Sequence, residues 1–213
     1  MKVACHQPNF VPYLGYFEKM NKADVFTLSD SVLYSRKAFF NYNTIFDGKN
    51  ELRLTVPASA HMDNKLNEIK LVDWDFNRRR IIKSLQHFYA KATFFNHVMP
   101  KLVSKLSQEF IYVADLNIEL IKFIKDELEI DCRLVRESTL GIDFGDKNQD
   151  IVKICKKLGA DTYVSGEGGK EYLDLNLFES NGIKVEFSSS DYPKYSVLDY
   201  LFRNGGGNPW RKN

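Results

Sequence analysis

The sequence predicts an α/β fold built on a doubly wound, Rossmann-like parallel sheet of about five strands. Three observations predict it. Short apolar runs ending in polar residues alternate with stretches of helical periodicity towards both ends of the chain. The first 30 residues hold strand, loop, helix and strand in succession, a compact βαβ unit that favours parallel pairing. The alternation is interrupted once, by an apparent β-hairpin and a helical segment, which reads as an insertion.

The elements follow in order. Residues 2–6 (KVACH) are short and mostly apolar, as a buried strand is. Pro8 and Pro12 then forbid regular structure. Leu14, Phe17 and Met20 recur at helical spacing, which predicts a helix over 13–21, and 24–29 (DVFTLS) is the second strand. FFNYNTIF and ELRLTVP flank DGKN, where Asp47-Gly48 is a hairpin signal. Helices are expected from Trp74 to about Ala92, over 96–108 and over 114–129. Strand 132–138, helix 150–157 stopped by Gly159, strand 162–165, helix 169–180, strand 184–188 and helix 196–203 complete the pattern. The expectation is a single α/β domain, 1–213, with a helical insertion at about 74–130.

Composition narrows the functions. The chain has 213 residues, 44% apolar, enough for one well-buried core. Thirty basic side chains against 28 acidic ones leave a formal charge of +2, which gives no bulk argument for nucleic acid. No apolar run approaches the ~20 residues that span a bilayer, and MKVACHQPNF lacks the apolar stretch of a signal peptide. Cys5, Cys132 and Cys155 are odd in number and far apart, which fits a reducing cytoplasm better than a disulfide framework. His6, His61, His87 and His97 are scattered, so no metal site is expected. Aromatic residues reach 14% and many adjoin polar ones, suiting either a ring-rich core or a cleft for sugars and nucleotides.

Open α/β sheets bind ligands beyond the carboxyl ends of their strands, and that rule selects three segments. The first is His6, Gln7 and Asn9, leading to Gly15 and Tyr16. A histidine at a strand end, followed by amides and a helix start, suits an anionic or hydroxyl-rich ligand and offers a proton carrier. The same amides could instead satisfy backbone around the two prolines. The second is Asp30, then Tyr34, Arg36 and Lys37, then Asn41 and Asn43, an acid followed by bases that could position a phosphate or carboxylate. A solvated hairpin edge is the alternative. The third is Ser165-Gly166-Glu167-Gly168-Gly169 leading to Tyr172, where glycines let backbone approach a ligand. Lys170 is followed by Glu171, so this is no P-loop. Arg79 and Lys83 share a face of the Trp74 helix, either a solvated face or a cationic wall.

HQPNFVPYLGYFEKM, the Asp30-to-Ile45 stretch ending NYNTI, LTVP at 54–57, LGADTYVSGEGGKEYLD and SVLDYLFRNGG together resemble the WbqC-like protein family in order and wording, over nearly the whole chain. His6, Gln7, Pro8, Asn9, Gly15 and Tyr16 fit its first motif. Asp30, Ser35, Asn41 and Asn43 fit the second, and Ser165, Gly166, Gly168, Gly169, Tyr172 and Asp174 the third. Tyr42 departs from the arginine that the family tends to carry there.

The resemblance implies a part in surface-polysaccharide (O-antigen or capsule) biosynthesis, without naming a reaction or a cofactor. The expectation is a cytoplasmic transferase acting on a nucleotide-linked amino sugar, with a small molecule rather than nucleic acid as partner. His6 and Asp30 are its expected catalytic residues. Gln7, Asn9, Tyr16, Tyr34, Lys37, Asn41, Asn43, Arg79, Lys83, Ser165, Gly166, Gly168, Gly169 and Tyr172 are its expected substrate contacts. Two alternatives stand beside it: a nucleotide-dependent activating enzyme and a non-catalytic binding protein of a glycan assembly complex. A weaker likeness to adenylyltransferase-like folds bears on the first. Tyr13-Leu14-Gly15-Tyr16 keeps their glycine but neither of their histidines.

Overall fold

The computed structural model describes residues 1–36, 39–188 and 191–211. Its strands and helices are, in chain order, β1 (Lys2–His6), α1 (Leu14–Asn21), β2 (Val25–Leu28), β3 (Tyr42–Phe46), β4 (Glu51–Thr55), β5 (Ala58–Ser59), β6 (Lys70–Leu71), α2 (Trp74–Phe88), α3 (Phe95–Leu106), α4 (Val113–Glu127), β7 (Arg133–Arg136), α5 (Lys147–Leu158), β8 (Thr162–Gly166), α6 (Leu175–Ser180), β9 (Lys184–Ser188) and α7 (Leu198–Asn204). The chain folds into two compact units. The first comprises Met1–Gln7, Gly15–Ser31 and Asp131–Tyr192, and the second Pro8–Leu14, Val32–Ile130 and Pro193–Asn213.

The first unit holds a five-stranded sheet of order β7-β2-β1-β8-β9. Every pairing in it is parallel. Val3 and Val25 pair across β1 and β2 and are both buried, as apolar runs in a two-sided sheet must be. They join a core with Ile151, Val152, Ile154 and Cys155 of α5, Tyr163 of β8 and Phe178 of α6.

Helix boundaries follow local chemistry. α5 begins at Lys147, three residues before its expected start, because the Asp146 side chain accepts from the Gln149 N–H and caps it. It ends where expected, at Gly159, whose φ of 73° suits a residue without Cβ. The expected helix over 169–180 is two elements instead. A 3₁₀ segment covers Glu167–Glu171, and α6 starts afresh because Asp174 accepts from the Leu177 N–H.

The second unit carries the expected hairpin. β3 and β4 pair antiparallel from Tyr42↔Thr55 to Phe46↔Glu51. Its turn is held by Asp47, whose carboxylate accepts from the backbone N–H groups of Lys49 and Asn50. A short antiparallel pair, β5 with β6, has no strong sequence signal because each strand is two residues long. Phe40, Leu66, Ile69, Val113 and Ala114 form one buried cluster of this unit.

Candidate functional site

The strand order locates the site in the first unit. From β1 the chain moves outward to β2 and β7, then returns to the other side of β1 for β8 and β9. The order reverses between β1 and β8, and the crevice beyond their carboxyl ends is where such sheets take ligands. β1 ends at His6 and β8 at Gly166, after Ser165. Asp30 follows the end of β2 on the same edge, two residues beyond Leu28, which pairs with His6.

His6 is half-buried and meets the Tyr16 ring edge-on, 4.8 Å between centroids. Its Nδ1 lies 3.2 Å from the Gln7 carbonyl oxygen, which also accepts from the Tyr16 hydroxyl at 3.2 Å. A carbonyl oxygen only accepts, so the imidazole proton sits on Nδ1 and Nε2 is left as an acceptor. Burial first, and the charge of Lys19 second, push the His6 pKa down to about 3; Lys147 adds to the shift. The ring is therefore neutral at pH 7.

On the neighbouring strand, Ser165 Oγ donates to the Gly166 carbonyl at 3.1 Å and is hydrogen-bonded to the hydroxyls of Tyr163 and Tyr172. Gly169 makes this possible: a Cβ there would fall 2.0 Å from Ser165 Oγ. Among the described residues no atom lies within 4 Å of a Cβ built on Gly166 or Gly168, so their packing does not require either to be glycine. Tyr172 is 42% exposed and carries the Lys147 ammonium 3.3 Å from its ring centroid.

Asp30 has another task. It is fully buried, and its carboxylate accepts from Arg136 Nε at 2.8 Å, Ser138 Oγ at 2.8 Å and the Ser138 N–H at 2.9 Å. These three bonds tie the end of β2 to the chain beyond β7. They occupy the carboxylate that was expected to move a proton. Glu137 beside it is also buried, hydrogen-bonded to Ser29, and its pKa is raised chiefly by burial.

The remaining expected contacts lie in the second unit, and most serve its scaffold. Asn43 is 2% exposed and donates to the carbonyls of Phe10 and Val11. Asn41 donates to the Val56 carbonyl. The alternative given above for this segment is a solvated hairpin edge, but Asn43 is buried and both amides donate to backbone carbonyls. Asn9 is buried, and its Oδ1 has no hydrogen-bond partner among the described residues. Tyr34 meets Phe40 edge-on, and Arg79 pairs with Asp75 on the exposed face of α2, where Lys83 also stands. Lys37 lies outside the described residues.

Sequence reading missed Lys19, Arg136, Ser138 and Lys147. Lys19 carried a signal: it follows Gly15 by four residues and Tyr16 by three, on the buried face of α1. Among the described residues no group of three His, Cys, Asp or Glu side chains could hold a metal, and no helix is long and apolar enough to cross a membrane.

Sheet order and strand-end chemistry define a Rossmann-like α/β protein with a histidine and two lysines about its switch point. The chain belongs to the WbqC-like protein family, whose profile matches residues 7–205. It is 26% identical over 223 residues to a Mycobacterium tuberculosis (strain ATCC 25618 / H37Rv) protein named Uncharacterized protein Rv1507c, an alignment covering 98% of this chain and 96% of that one. No solved structure matches.

Proposed function

We propose that the protein is a transferase of surface-polysaccharide assembly, moving an acyl or aminoacyl group onto the amino group of a nucleotide-linked sugar. The observation that carries this reading is the β1–β8 edge. There His6, with Nε2 left as an acceptor, ends the strand next to the one that ends in Ser165 and Gly166. Family membership agrees with it, through the polysaccharide context that the resemblance implies.

In the step so proposed, the sugar nitrogen attacks the acyl carbonyl carbon. The C–N bond forms, the bond from that carbon to its carrier breaks, and Nε2 of His6 takes the proton lost by nitrogen and returns it to the leaving group. The Gln7 carbonyl holds the imidazole in the tautomer this requires. An imidazole with a pKa of about 3 is a weak base. A substrate anion near Lys19 and Lys147 would oppose their charge and raise its basicity. Asp30 is then a positioning residue, and the three free thiols suit work in the cytoplasm.

The test is a panel of uridine- and thymidine-diphosphate amino sugars incubated with acyl-coenzyme A donors, read by mass spectrometry of the sugar. N-acylated product, lost in His6→Ala with the circular dichroism spectrum unchanged, is the expected result. Full turnover in that variant removes the role of His6. Pyrophosphate release from a nucleoside triphosphate, with no acylated sugar, replaces the reading with nucleotide-dependent activation.

A further inference from the structure

Helix α2 has two unlike faces. Trp74, Asn77, Ile81 and Leu85 are buried, at the spacing of one helix face. Phe76, Arg79, Arg80, Lys83 and His87 are all exposed and recur at the same spacing on the opposite face. At 1.5 Å per residue this stripe runs for about 16 Å.

Its charge is one-sided. Asp75 is the one acid among the 15 residues of the helix, against three arginines and a lysine. The Asp75 carboxylate is shared by Arg78 and Arg79, and Arg78 also pairs with Glu109. Arg80 and Lys83 have no carboxylate partner among the described residues. The stripe also presents an aromatic ring to water. Phe76 is 62% exposed, and the Arg80 guanidinium stands 5.8 Å from its ring centroid. A ring so exposed gains free energy from any partner that covers it.

We propose that the exposed face of α2 docks the protein on an anionic lipid surface. Phe76 enters the boundary between headgroups and acyl chains, and Arg80 and Lys83 meet lipid phosphates. A convex helix face cannot enclose a small anion, which calls for a concave pocket. An extended anionic partner is what a line of cations along a helix fits. Between extended polyanions, the ring decides. A bilayer interface takes up a phenyl group together with basic side chains, whereas a duplex backbone offers phosphates to the cations but no apolar layer to the ring. The formal charge of +2 also gives no bulk attraction to nucleic acid. With few charges and one ring, such docking is weak and reversible. It does not rest on the transferase reading.

The test floats the full chain with vesicles of equal parts phosphatidylglycerol and phosphatidylcholine, and with vesicles of phosphatidylcholine alone, at low and at physiological ionic strength. Partition onto the anionic vesicles and not onto the neutral ones is the expected result, and salt should weaken it. Each cation near such a surface contributes about 1 kcal/mol, which is about fivefold in partition. Arg80→Gln combined with Lys83→Gln should therefore weaken partition about 25-fold. Phe76→Ser should weaken it at both ionic strengths, because apolar burial is not screened. All three side chains are exposed, so these variants should keep the wild-type circular dichroism spectrum.

No partition, equal partition onto both kinds of vesicle, or partition unchanged in the double variant or in Phe76→Ser overturns the proposal. Tighter binding of a random DNA duplex than of the anionic vesicles, unchanged in Phe76→Ser, replaces the lipid surface with nucleic acid.

Discussion

Nδ1 of His6 and the carbonyl oxygen of Gln7, neighbours in sequence, are 3.2 Å apart, and their contact leaves the other ring nitrogen as an acceptor. The same ring resists protonation. Its pKa falls from 6.5 to about 3, first through burial and then through the charge of Lys19. In the unfolded chain the ring takes a proton near pH 6.5, whereas the folded chain waits until about pH 3. Between those values the unfolded state binds more protons, so stability falls as pH falls. The contribution reaches about 1.4 kcal/mol per pH unit for one such group. Urea unfolding between pH 7 and 4 should show this slope, and His6→Asn should flatten it. An identical slope in that variant would assign the effect to other groups.

Asp30→Asn tests the tie between β2 and β7. The substitution removes the charge facing Arg136 and puts an amide donor where Arg136 Nε, Ser138 Oγ and the Ser138 N–H all donate. Breaking a buried pair from one side costs about 3 kcal/mol or more. The urea midpoint should drop with the m-value unchanged. Stability equal to wild type would show that the three bonds contribute nothing net, and would return Asp30 to consideration as a reacting group.

Much of the fold was legible because its signals are local. The runs KVACH and KVEFS are the observed strands β1 and β9 to the residue, and DGKN turns the hairpin as its Asp-Gly pair predicts. His6 and Ser165 were placed at strand ends from sequence alone, and β1 does end at His6 and β8 one residue past Ser165. What escaped is non-local. Asn43 bonds carbonyls 32 and 33 residues away, and Asn117 bonds those of Pro8 and Phe40. Nothing beside them in the sequence separates such amides from ligand contacts. The isolation of Lys19 is equally invisible, because lacking a carboxylate is a property of its surroundings. Asp174 was read within a helix rather than as the cap that starts one, which is why two elements were expected to be one.

Glycines of the Ser165 turn should divide by substitution. Gly169→Ala brings a Cβ within 2.0 Å of Ser165 Oγ and should destabilise by about 1–3 kcal/mol. Ser165→Ala in the same chain removes that oxygen. The double variant should therefore be more stable than the two single losses added together, as a coupling of contacting residues requires. Gly168→Ala meets no atom within 4 Å among the described residues, so its thermal midpoint should match wild type. Additive losses for Gly169 and Ser165 would mean that the glycine serves backbone conformation instead of making room for the hydroxyl.

Lys19 sets a second pH window, of distinct origin. Burial lowers its pKa from 10.5 to about 8. Above pH 8 the folded chain sheds this proton while the unfolded chain keeps it up to about 10.5. The unfolded state then binds more protons, and stability rises with pH. Cys5 and Cys155 oppose this at higher pH. Burial raises both thiols from 9.0 to about 12, so above pH 9 it is the unfolded chain that has lost protons, and stability falls. The lysine therefore acts unopposed by the thiols only between about pH 8 and 9, where unfolding free energy should climb by up to about 1.4 kcal/mol. Lys19→Met should remove that climb. A wild-type curve flat from pH 8 to 9 would mean that the Cys5 carbonyl and the Phe26 ring already compensate the ammonium for its burial.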